Sequence, residues 1–141
     1  MLDYLIMVVT NFLNMFPAKG GVSSYYSPHV LMNKTDLDYK KHCMIPFGSY
    51  VQAFQENSPS NTLEARAIDG IYLRPMMNSQ GGHEIMNLAT GLVITHHKVT
   101  TLPVTDFVIK TVECMAEKQG IKGLKIEGRN KQPLFPADWD A

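Results

Sequence analysis

The chain has 141 residues, 45% of them hydrophobic, and its thirteen basic and thirteen acidic side chains cancel at neutral pH. Such a length makes one ordinary domain or two small ones, and the balance excludes a strong overall positive field, so any phosphate contact must come from a local patch. Two widely spaced cysteines, Cys43 and Cys114, exclude a disulfide scaffold and fit reduced thiols in an intracellular compartment, each expected as a small buried hydrophobe.

The opening stretch LDYLIMVVTNFLNMF has no positively charged start and carries Asp3, Asn11 and Asn14. It is also shorter than the roughly 20 residues a membrane-spanning helix needs, so it reads as neither signal nor anchor. Leu2, Leu5, Ile6, Val9, Phe12, Leu13 and Phe16 recur at helical spacing, and Pro17 with Gly20 and Gly21 stops the run. Tyr4, Met7, Val8 and Met15 fill the other faces, and a helix apolar on nearly every side expects to be buried in a larger body. Residues 1–20 therefore form a first unit, and residues 21–43 a connector with Ser, Pro and Asn-Lys punctuation. Ser27-Pro28 can start a short helical turn there. Lys40, Lys41 and His42 are the densest positive cluster of this half; they read either as phosphate contacts or as a solvated loop partly neutralised by Asp36 and Asp38.

Residues 44–104 alternate apolar and polar side chains in short runs broken by turns, the pattern of a small antiparallel barrel. A first strand is expected over Met44 to Phe54 with a bend at Gly48, then a loop over 55–62, and a second strand over Leu63 to Leu73. A turn over Pro75 to Gly82 precedes a hairpin, His83 to Leu88 and Leu92 to His97, around Ala89-Thr90-Gly91. Lys98 to Leu102 completes five strands. Residues 105–120 read as a helix with Val108, Val112, Met115 and Ala116 along one stripe, capped by Thr105 or Asp106 and ended by Gly120. Residues 121–141 are expected to be a flexible tail apart from a short extended piece at GLKIE, with Lys122, Lys125, Arg129 and Lys131 as further phosphate candidates. The fold class is thus α+β: a helix, an SH3-like barrel of about five strands, a second helix and a tail.

Several phrases of the chain, in order, resemble the Pol polyprotein of copia-type retrotransposons. FLNMFPAKGGVSSYYSP, Phe12 to Pro28, is similar to the phrase that closes the integrase catalytic core, and LDYKKHC, Leu37 to Cys43, to the approach to the next module. PFGSYVQ, GIYLRPMMNSQGGHEIMNLATG and VITHHKVTTLPVTDFVI resemble the SH3-like module itself, so the likeness covers roughly residues 1 to 119. It implies a fragment that starts after the active site, whose neighbour is the ribonuclease-H-like core or another Pol segment. It further implies a role in DNA binding and DNA integration, and a nuclear location within the cell. Tentative nucleic-acid contacts are Lys40, Lys41, His42, Arg74, His96, His97 and Lys98. Two departures weaken that face: where relatives carry an Arg pair the chain has His96-His97, and Leu92 replaces a Lys. Neutral imidazole does not replace a guanidinium fork.

No catalytic constellation emerges. Asp36, Asp38, Glu56, Glu64, Asp69 and Glu84 lack the spacing of carboxylates that hold two metals, and His42-Cys43 and His96-His97 lack a zinc-ligand pattern. The Gly pairs lack the following Lys-Ser/Thr of a phosphate loop. The expectation is a protein that is not an enzyme, with no metal or cofactor and no membrane contact. A module that binds protein rather than DNA, or a decayed element with no function, is the alternative; an enzyme follows only if upstream sequence restores the core.

Overall fold

Alternation along the strands sets the architecture, because successive strand residues point to opposite faces of a sheet. The computed structural model describes residues 1–55, 66–77 and 80–120. Helix α1 (Leu2–Met15) leads through α2 (Pro28–Asn33) and α3 (Tyr39–His42) into strands β1 (Tyr50–Phe54), β2 (Ala67–Met76), β3 (Gly82–Asn87), β4 (Val93–His96) and β5 (Val99–Thr101), and α4 (Asp106–Lys118) follows. The strands form one antiparallel sheet in the order β4-β3-β2-β1-β5, a meander whose last strand returns beside the first. This is the expected α+β arrangement, consistent with a small SH3-like fold, except that the sheet is not closed into a complete barrel.

The sheet is nevertheless strongly curled, and chain connectivity forces it. Laid flat, five strands would put β4 and β5 about 19 Å apart, at roughly 4.8 Å per strand. Only His97 and Lys98 join those two edges, and the three Cα steps from His96 to Val99 span at most about 11 Å. Residues from both edges, Ile94 and Val99, pack against Val51, Ala53, Tyr72 and Ile85, so that face is the inside of the curl. Ile45 covers its mouth.

The outer face carries a second core of Ile71, Leu73, Met86 and Leu88 under Val108 of α4, with Tyr4, Phe47, Tyr50, Val112 and Met115 around it. A bulge in β2 makes this possible. Tyr72 pairs with Ile85 and Arg74 with Glu84, so Leu73 is an extra residue on β2. An extra residue resets the alternation, so the consecutive Leu73 and Arg74 both face outward, Leu73 into the outer core and Arg74 over the Tyr4 ring beside it.

Several boundaries differ from expectation. Residues 44–49 are not strand: Gly48 has φ +82°, and its N–H donates to the Tyr72 carbonyl, so the approach turns before β1 begins at Tyr50. β2 runs on through Pro75 to Met76, past the expected turn, because it pairs with β3 as far as Gly82. The start of the expected second strand (63–65), most of the 55–62 loop and the 121–141 tail lie outside the described residues. α3 was not expected; Asp38 caps it by accepting from the Lys40 N–H at 3.1 Å. The hairpin turn is as expected, with Asn87 Oδ1 accepting from the Ala89 N–H and Gly91 at φ +71°.

α1 is only partly covered. Val8 and Met15 are buried, whereas Leu13 is 71% and Ile6 57% exposed. Its C-terminal end is held by α3: Tyr39 stacks on Phe16 and its hydroxyl donates to the Met15 carbonyl, and the Cys43 thiol lies 3.8 Å from Met15 Sδ. Cys43 is half-buried, but Cys114 is exposed, against the expectation of a buried thiol.

Two substitutions test the core. Ile85→Ala, which empties a fully buried site inside the curl, is expected to cost about 2–5 kcal/mol in urea unfolding. In Gly70→Ala the added Cβ would meet the Met86 carbonyl oxygen at 2.9 Å, so the β2–β3 ladder must open there and the unfolding midpoint should fall, although only one methyl is added.

Candidate nucleic-acid interface

The short link between β4 and β5 also gathers charge. His97 Nδ1 lies 2.7 Å from the Gly81 carbonyl oxygen, at the start of β3, and the Lys98 carbonyl accepts from the Phe54 N–H at the end of β1. The two residues thus clip the sheet's edges together with their side chains exposed. Lys98 Nζ sits 5.9 Å from the centre of the Phe54 ring, where the ring's negative face attracts it.

His83 lies at the centre of the group. It pairs in register with His96 across the hairpin and faces inward with Ile85. The Tyr72 hydroxyl is 3.2 Å from His83 Nδ1, with the two rings 5.6 Å apart. Burial, and then the Cys43 thiolate it would face, push the Tyr72 phenol far up, so it remains a hydroxyl and can donate to a neutral imidazole. Burial lowers the pKa of His83, and the nearby charges of His42 and His97 lower it further. His42, from α3, and His97, from the β4–β5 link, therefore both act through charge on the same imidazole.

The Lys40-Lys41-His42 and His96-His97-Lys98 segments, more than fifty residues apart in the chain, thus each contribute one histidine whose charge acts on His83. Lys40 and Lys41 are exposed, and Asp38 turns inward on its own helix, accepting from the Lys40 N–H and, through its carbonyl, from His42 Nδ1 when that nitrogen is protonated.

Arg74 stands apart from the patch. Its Nε and Nη2 donate to the two oxygens of Glu84 at 2.6 and 3.0 Å, a bidentate pair that raises its pKa, and its guanidinium lies over the Tyr4 ring. Its Nη1 also reaches Met7 Sδ at 3.6 Å. With its charge matched by Glu84, Arg74 ties α1 to the sheet and offers little to a phosphate. His83 was missed from the sequence, yet the signal was there: it and His96 are equidistant from the centre of the Ala89–Thr90 turn.

Among the described residues no three His, Cys, Asp or Glu side chains gather as a cation site, and no helix is long and apolar enough to cross a membrane. No family model, curated protein or solved structure compared with the chain matches it.

The depressed pKa of His83 fixes the sign of a pH effect. The unfolded chain protonates this imidazole first, near its ordinary value of about 6.5. Stability is therefore full above that value and falls as the pH drops from there through the lower folded value. Denaturant midpoints between pH 7.5 and 5 should decline, and His83→Gln should flatten the decline.

Proposed function

We propose that the chain is a non-catalytic part of a copia-type retrotransposon Pol polyprotein, spanning the end of the integrase core and the SH3-like module after it, and that the module supports DNA integration by gripping the phosphate backbone. The observation that carries this reading is that His42, next to Lys40 and Lys41, and His97, next to Lys98, both act on His83, which itself pairs with His96. On this reading two segments with independent positive charge act as one local patch on a chain of zero net charge, which is what backbone contact without long-range steering requires. The three lysines supply permanent charge. The order of elements, an apolar helix, a connector and a five-stranded curled sheet, agrees with the motif likeness.

A second reading, a module that binds protein, is favoured by one observation: Leu2, Ile6, Val9, Leu13 and Phe16 leave an apolar face of α1 in solvent. In a Pol polyprotein the integrase core would cover that face, so the two readings share this surface and differ only at the lysine patch.

Fluorescence anisotropy with a labelled duplex separates them. Three lysine contacts predict a log–log salt slope of about −2.7, hence an affinity about 40-fold lower at 200 mM than at 50 mM salt. Charge reversal at Lys40 and Lys41 together should weaken binding of every duplex sequence alike and flatten the slope. Binding indifferent to salt, or unaffected by the double reversal, contradicts the proposal.

A further inference from the structure

On the outer face of the sheet, away from the lysine patch, a cavity of about 430 Å³ lies between β2, the end of β3 and the first turns of α4. Its walls include Tyr50, Asp69 and Phe107, with Leu88 and Thr111 beside them, and among the described residues no lysine, arginine or histidine lines it. Its size is ordinary for a small-ligand site.

Three features of this cavity act together. Asp69 is held in place: Oδ1 accepts from the Tyr50 hydroxyl at 3.0 Å and from Gln52 Nε2 at 2.9 Å, while Oδ2 takes no hydrogen bond among the described residues. A fixed carboxylate with a spare oxygen is an acceptor for a cation. Phe107 is 73% exposed although it sits on a helix whose neighbour Val108 is buried, so an aromatic ring stands at the cavity edge without contributing to the core. Tyr50 supplies a second ring, and Leu88, 6% exposed, supplies apolar surface. Negative charge, two aromatic rings and apolar surface without a resident cation are complementary to an organic cation.

We infer that this cavity binds a methylated alkylammonium group, such as a methylated lysine side chain presented by a peptide. The cavity is open to solvent, which suits a side chain whose backbone remains outside. Asp69 is itself exposed, so a bare ammonium would keep its water and gain little; methylation weakens that hydration and adds contact with the rings. The inference does not depend on DNA binding, since its residues lie on the opposite face of the sheet from His83.

The test is a two-dimensional NMR titration of the full ¹⁵N-labelled chain with a short Gly/Ser peptide carrying one trimethyllysine. A parallel titration uses the peptide whose side chain ends in the neutral, isosteric tert-butyl group. Expected are shifts confined to the amides around Tyr50, Asp69, Leu88 and Phe107, with the cationic peptide bound about three- to tenfold more tightly than the neutral one, the range of an exposed cation–π and charge contact. Asp69→Asn keeps an oxygen to accept from Tyr50 and Gln52, and Phe107→Ala alters an exposed ring; unchanged spectra elsewhere will show that both variants fold. Asp69→Asn should weaken the cationic peptide by a similar factor and leave the neutral one unchanged, whereas Phe107→Ala should weaken both and the cationic one more. Equal binding of the two peptides, shifts elsewhere, or no shift at 20 mM peptide, roughly the weakest affinity such contacts give, overturns the inference.

Discussion

The two-residue link from β4 to β5 is the constraint on which the rest of the structure depends. It cannot reach across a flat five-stranded sheet, so the sheet curls, and curling creates an inside lined by Val51, Ala53, Tyr72 and Ile85. The opposite face then needs its own cover, which α4, Tyr4 and Phe47 supply over Ile71, Leu73, Met86 and Leu88. Both cores are small, as a chain of this length requires. The bulge at Leu73 turns the consecutive Leu73 and Arg74 to the same outer face, where one packs in the core and the other meets Tyr4 of α1, without losing the pairing with β3.

The same link explains why charge collects where it does. Polar side chains at His97 and Lys98 can stay in solvent because only their backbone and the His97 ring nitrogen make the closing contacts. α3 arrives beside them because the capped turn at Asp38 and the contacts of Tyr39 and Cys43 with α1 set its place. His83 is half-buried against Tyr72, and its lowered pKa follows from that burial before any neighbouring charge is counted.

Much of the architecture was legible because it rests on local signals. The hairpin announced itself by Asn87 and Gly91 around a short turn, and the two long helices by their apolar spacing and their Pro17 and Gly120 stops. What was not legible depends on partners distant in the chain. The extension of β2 through Pro75 comes from β3, not from its own composition, and the shortening of β1 comes from Gly48 bonding to Tyr72. At the candidate site, the individual basic residues could be named from the sequence, but their meeting could not. Nor could the loss of Arg74 to Glu84, ten residues away on the next strand, be seen without the register. The cavity at Asp69 was invisible for the same reason: its walls come from four separate elements, β1, β2, β3 and α4.

Backbone amide hydrogen exchange at Phe54 and Leu102 examines the curl most directly. The Phe54 N–H donates to the Lys98 carbonyl at 3.0 Å and the Leu102 N–H to the Tyr50 carbonyl at 3.0 Å, bonds that exist only if the return strand lies along β1. Both amides should exchange as slowly as those of the central β2–β3 ladder. Rapid exchange at both, with β2 and β3 still protected, would mean that the sheet ends at β1 and that the lysine and histidine segments do not meet.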